Sequence, residues 1–200
     1  MYKMTKEKAL EILHKNMQNT NLRRHCYAVG FALAGIYDYL KENNWKADSP
    51  DNSEDWEILG ILHDSDYELT KDDWTQHTLK TLEWFKEEGV SETDPLYLAE
   101  TSHNNKITGL REPQTQMEWA LECCDELTGF IVAIAVIKPE KKLSAVDVAG
   151  VKKKFKQKAF AAAVEREQIS QCEEKLNIPL DAFVEVVLTS MQKNSQDLGL

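Results

Sequence analysis

Histidine and aspartate stand side by side at His63-Asp64, where the apolar run Trp56-Glu57-Ile58-Leu59-Gly60-Ile61-Leu62 ends. An imidazole and a carboxylate in that position can both reach one cation. The chain holds five histidines, and three others, His25, His77 and His103, recur around the pair before Asp125 closes the series. Nitrogen and carboxylate oxygen donors together suit Zn, Mn, Fe, Co or Ni, whereas an all-oxygen set suits Mg or Ca. The distribution therefore points to a divalent transition-metal site supplied by His25, His63, Asp64, His77, His103 and Asp125. The fifth histidine, His14, fits no partner in this spacing and reads as a surface or edge residue.

The elements that must carry these side chains read as helices. Thr5 before Lys6-Glu7-Lys8 can cap a first helix with Ala9, Leu10, Ile12, Leu13 and Met17 as its apolar positions. Leu22, Cys26, Val29, Leu33, Ile36 and Leu40 then recur at steps of four and three, the stripe of an amphipathic helix, and His25 lies beside it facing inward. After a polar connection rich in Asn, Asp, Ser and Pro over 43–55, the helix with Trp56, Ile58, Leu59, Ile61 and Leu62 is apolar over most of its circumference and so buried. A charged Asp64 at its end would cost roughly several kcal/mol unless a cation or hydrogen bonds compensate.

Asp73-Trp74-Thr75-Gln76 leads into a helix expected to bear His77, Leu79, Leu82 and Phe85 and to stop at Gly89. Asp94-Pro95 opens the next, with Leu96, Ala99 and His103 on one face. Thr115-Gln116-Met117-Glu118 has the form of a capping box, and the helix behind it sets Asp125 among apolar neighbours. The run Leu127 to Ile137 taken alone suits a buried strand; the phase of Leu121, Thr128 and Ile131 carries the helix through it. Ser144 is expected to cap a helix through Val151, Phe155 and Ala159, and Leu180, Phe183, Val187, Leu188 and Met191 mark a last one. No strand alternation and no internal repeat is present. The fold class is all-α, one domain over 1–200 with a core at about 20–137 and a C-terminal helical extension at about 144–195.

The ordered series of histidine, His-Asp, histidine, histidine and aspartate resembles the HD superfamily of metal-dependent phosphohydrolases. Asn21-Leu22-Arg23-Arg24-His25-Cys26-Tyr27-Ala28-Val29 looks like its first motif and Ile58-Leu59-Gly60-Ile61-Leu62-His63-Asp64 like its second. Glu100-Thr101-Ser102-His103-Asn104 and Leu121-Glu122-Cys123-Cys124-Asp125-Glu126-Leu127 look like the later ones, so the resemblance spans residues 21 to about 130. It implies a helical-bundle core of about five helices and a metal held by His25, His63, Asp64 and Asp125. In members with two ions, Asp64 would bridge and His77 and His103 would hold the second. The implied activity is hydrolysis of a nucleotide or other small phosphoester; the alternative is a helical module that binds a metal or phosphorylated ligand without turnover.

One departure bears on the reaction. Many members carry a lysine shortly after the His-Asp pair, whereas here Ser65-Asp66-Tyr67-Glu68 follows, which does not support cyclic-dinucleotide cleavage. Asp66 and Glu68 are candidates for an acid, a base or an extra ligand beside Asp64, against the reading of a solvated acidic loop. Arg23, Arg24 and Asn104 adjoin ligands and are candidates for phosphate contacts, against the reading that either arginine pairs with an acid on a neighbouring helix. Eight lysines between 138 and 158, Lys152 and Lys153 among them, face only Glu140 and Asp147, a local +6 in a chain of net −10. That patch either receives substrate phosphates or is a solvated helix face.

The overall acidity excludes a general affinity for nucleic acid polymers or anionic membranes. Cys26, Cys123, Cys124 and Cys172 have no metal-type spacing and read as reduced and buried. Residues 1–7 lack the apolar core of a signal peptide and no run reaches membrane-spanning length, so the expected location is the cytoplasm.

Overall fold

The structure is a computed structural model that describes residues 3–200. Helices account for the regular structure among these residues, with no strand. α1 (Lys6–Asn16) is capped by Thr5, whose side chain accepts from the Lys8 amide. α2 (Thr20–Asn43) is capped by Asn19 and α3 (Ser53–Leu62) by Asn52, each through its side-chain oxygen. The short α4 (Tyr67–Thr70) and α5 (Leu79–Glu87) follow, then α6 (Pro95–Ser102), with Asp94 as cap and proline in its first turn. A turn of helix, α7 (Asn105–Thr108), precedes α8 (Gln116–Ile137). The C-terminal part comprises a 3-10 turn (Leu143–Ala145), α9 (Val148–Phe155), α10 (Arg166–Ser170), α11 (Cys172–Lys175), α12 (Leu180–Lys193) and α13 (Ser195–Leu198).

α2 is the central strut: α3, α8 and α12 all pack on it. Its stripe Cys26, Val29, Leu33, Ile36 and Leu40 is fully buried, as are Trp56, Leu59 and Leu62 of α3. The α2–α3 crossing is close enough to demand glycine. A Cβ on Gly60 would lie 2.4 Å from the Gly30 nitrogen and 2.5 Å from its Cα, so only hydrogens separate the two backbones. That contact sets the ends carrying His25 and His63 beside each other.

Two expectations need correcting. His77 lies in the turn before α5 rather than on it, because Thr78 takes a left-handed conformation (φ 76°) that no helix interior accepts. Ser144 belongs to the 3-10 turn; Asp147 caps α9 through the Gly150 amide, and α9 ends at Phe155, short of Ala159. The Leu127–Ile137 run continues α8, so the helical phase prevails over local strand composition. The four cysteines are free and buried. No described helix is long and apolar enough to cross a membrane.

Candidate metal centre

His25 projects from the second turn of α2, His63 and Asp64 from the end of α3, and Asp125 from the middle of α8. His77 and His103 arrive from the turns at the start of α5 and the end of α6. Together they form one cluster. Asp64 Oδ2 is 3.6 Å from His25 Nε2 and 3.6 Å from His63 Nε2. Its other oxygen, Oδ1, is 3.1 Å from His77 Nε2 and 3.5 Å from His103 Nε2. Asp125 Oδ1 is 2.9 Å from His25 Nε2 and 3.6 Å from His63 Nε2. Asp64 thus turns one oxygen to each pair of imidazoles, with Asp125 closing the first.

The ring orientations show which nitrogens are free. His63 Nδ1 donates to the Gly60 carbonyl at 2.8 Å, so its Nε2 carries the lone pair. That Nε2 is buried, has no hydrogen-bond partner, and faces two carboxylates. His77 Nδ1 donates to Asp66 Oδ1 at 2.7 Å, again leaving Nε2 to face Asp64. Carboxylate oxygens crowded against one another need positive charge between them, which either protons on the imidazoles or a bound cation supplies. Three overlapping groups, His25–His63–Asp64, His63–His103–Asp125 and Asp64–His77–His103, each bring ligand atoms within 4.8 Å of one another. This His/Asp cluster can hold a metal ion.

Titration behaviour reflects the same crowding. Burial opposes charge on Asp64 and on Asp125, yet the imidazoles around them outweigh it and hold both carboxyls below their ordinary range. His25 moves the other way: burial pulls its pKa down, but the Asp125 hydrogen bond and the Asp64 charge push it to about 9. His103 is likewise raised against burial by Asp64 and Glu122. With no ion bound, protons on the imidazoles provide the positive charge the carboxylates require.

The remaining proposed residues are distributed unevenly. Asp66 is fully buried and does not face the interior of the cluster. One oxygen orients His77, and the other accepts from the Lys80 and Thr81 amides at 3.1 and 3.2 Å, which corrects its reading as a reacting group. Glu68 is spent elsewhere: it accepts from the Gln18 and Asn19 amides between α1 and α2. Asn104 donates to the carbonyls of Trp74 and His77, at 3.0 and 3.4 Å, so its amide ties the two ligand-bearing turns together instead of waiting for phosphate. Lys152 pairs with Asp181 of α12 and Lys153 is exposed on α9, neither in contact with the cluster. Arg24 lines a cavity that His25 also lines.

Two residues beside the cluster were not anticipated. Glu122 stands 3.6 Å from His103 Nδ1, too long for a hydrogen bond, and accepts from Gln168 on α10. Its place three residues before Asp125 was the available signal, since that spacing shares a helix face. Glu100, buried one turn before His103, is pushed well above the usual carboxylate range by burial.

No protein-family model, curated protein or solved structure matches the chain.

Proposed function

We propose that the chain is a metal-dependent phosphohydrolase of the HD superfamily, acting on a small phosphoester with one or two divalent transition-metal ions (Mn, Fe, Co, Ni or Zn). The observation that carries this reading is the division of Asp64, one oxygen toward His25 and His63 and the other toward His77 and His103. His25, His63, Asp64 and Asp125 would hold the first ion; Asp64, His77 and His103 the second. Such ions, when bound, supply acidity to water and neutralise charge on phosphoryl oxygens.

The chain's own residues do the rest. Hydrogen bonds to Gly60 and Asp66 fix the rings of His63 and His77 and keep their Nε2 lone pairs directed inward. Asp64 and Asp125 stay ionised, so they remain ligands at neutral pH. Arg24, sharing a wall with His25, is the cation available to a phosphoryl oxygen. In the net reaction water adds to phosphorus, the ester P–O bond breaks, and the leaving oxygen takes a proton to become an alcohol.

Elemental analysis of protein purified without chelator should find transition metal, and a screen of phosphomonoesters with Mn, Co, Ni and Mg should reveal turnover. Metal-loaded protein that hydrolyses none of them would leave the non-catalytic binding module as the reading; metal-free protein would remove the enzyme and the metal-binding module alike.

A further inference from the structure

We propose that the cavity between α2 and α8 beside His25 receives the organic part of the substrate, and that it selects phosphomonoesters of hydrocarbon-like alcohols over nucleotides. This rests on the phosphohydrolase reading and names its substrate class.

The cavity measures about 350 Å3, and Arg24, His25, Ala28, Gly129, Val132 and Leu198 are in its wall. Because His25 is both wall and cluster member, a group seated there lies beside the metal centre. Two cavities of similar size, one beside Met4, Ile58 and Met117 and one beside Tyr27, Phe31 and Ile61, include no cluster residue. Asp125, Gly129, Val132 and Val136 follow one another at steps of four, three and four along α8, so one face of that helix leads from the cluster along the cavity. Gly129 keeps that path open: a Cβ there would meet nothing within 4 Å.

The chemistry of the wall distinguishes among leaving groups. Ala28, Val132, Val136 and Leu198 are apolar, and apart from His25 the named polar contributors are Asn21 and Arg24. Val136 is 45% exposed and the adjoining Ile137 54%, an apolar rim where α8 ends. A nucleobase and its sugar would bring several donors and acceptors against a wall with few partners, and each unmatched group opposes binding. A hydrocarbon group brings none, and each methylene it buries strengthens binding by about fourfold. Arg24 packs its guanidinium against Gly199 and pairs with no carboxylate among the described residues, so its charge is the one the cavity offers an anion.

Calorimetric titration of Mn-loaded full-length protein with methyl-, butyl- and hexylphosphonate tests this without requiring turnover. Affinity should rise tenfold or more from the methyl to the hexyl compound and should exceed that for adenosine or uridine monophosphate. In Gly129→Leu the added side chain occupies the open space, and the rise with chain length should disappear while metal content and thermal midpoint hold. Equal affinities along the series, tighter nucleotide binding, or a series indifferent to Gly129→Leu would each overturn the proposal. Hydrolysis of the matching alkyl phosphates is read separately. Chain-length selection in binding with no hydrolysis would sink the enzyme reading and leave the pocket, whereas hydrolysis without that selection would do the reverse.

Discussion

His25, His63 and Asp125 come from α2, α3 and α8, helices whose inward faces make up much of the buried core, whereas His77 and His103 come from turns. Each of the two turn histidines is followed by a non-glycine residue in the left-handed region, Thr78 at φ 76° and Asn104 at φ 56°. For a β-branched threonine that conformation costs about 1–2 kcal/mol, and it persists only because neighbouring bonds hold it. The first half of the cluster is therefore assembled by core packing, with the His63–Gly60 hydrogen bond setting one ring. The second depends on a small set of polar ties: Asp66 to His77, and Asn104 to Trp74 and His77. A site supported by core helices keeps its geometry without an ion, while one supported by turns gains order from the ion and loses it first. On the proposed two-ion reading, the second ion should accordingly bind more weakly and leave first on dilution.

Asp64→Ala breaks the comparison outright, since Asp64 serves both halves. Both ions should be lost and hydrolysis abolished, as read by elemental analysis and a phosphate-release assay; full metal content in this variant would end the bridging model. Asp66→Asn touches the second half alone and should weaken the second ion about 10–100-fold, the usual consequence of removing a group that orients a ligand. Metal titration should show the first equivalent unchanged. Gly60→Ala attacks the first half through its packing: the added Cβ forces α2 and α3 apart, with an expected loss of about 1–3 kcal/mol in chemical denaturation.

Asn104→Gly keeps the left-handed backbone available but deletes the side-chain ties. Its expected effect is about 1 kcal/mol, roughly fivefold, on the second ion alone. A pH dependence belongs to the first half and is read apart from these variants. In ion-free protein the pKa of His25 is about 9 against an ordinary 6.5. Raised on folding, it contributes stability that is fully present below about 6.5 and is lost as pH rises through about 9. Denaturation curves on either side of that window should show the loss in chelated protein and not in metal-loaded protein, where the ion displaces the proton.

The helical frame was open to a reading of the chain, whereas the turns that carry His77 and His103 were not. The periodic apolar stripe of α2, the cap residues Thr5, Asp94 and Thr115, and the apolar run before His63 are local signals, and each corresponds to the helix it announces. The six ligand candidates were legible as well, because histidine and aspartate on inward faces are rare unless something compensates them. Roles that depend on a distant partner were not. Asp66 looks like a free acid beside Asp64 until the Lys80 and Thr81 amides, which close on it through the 67–79 excursion, take one of its oxygens. Glu68 looks equivalent to Asp66 two residues earlier, yet the turn sends it to the Gln18 and Asn19 amides. Asn104 and Lys152 were judged by their sequence neighbours, while their partners are the 74–77 turn and Asp181.

By itself, then, the sequence determined that the chain is helical and where several helices begin, because side-chain period and capping act within a few residues, and the spacing of histidine and aspartate named the six side chains that converge. Tertiary structure alone decided how those six are shared out. The contact of Gly30 with Gly60 and the two left-handed turns determine which oxygen of Asp64 meets which imidazole, and hydrogen-bond direction is a property of residues brought together from far along the chain.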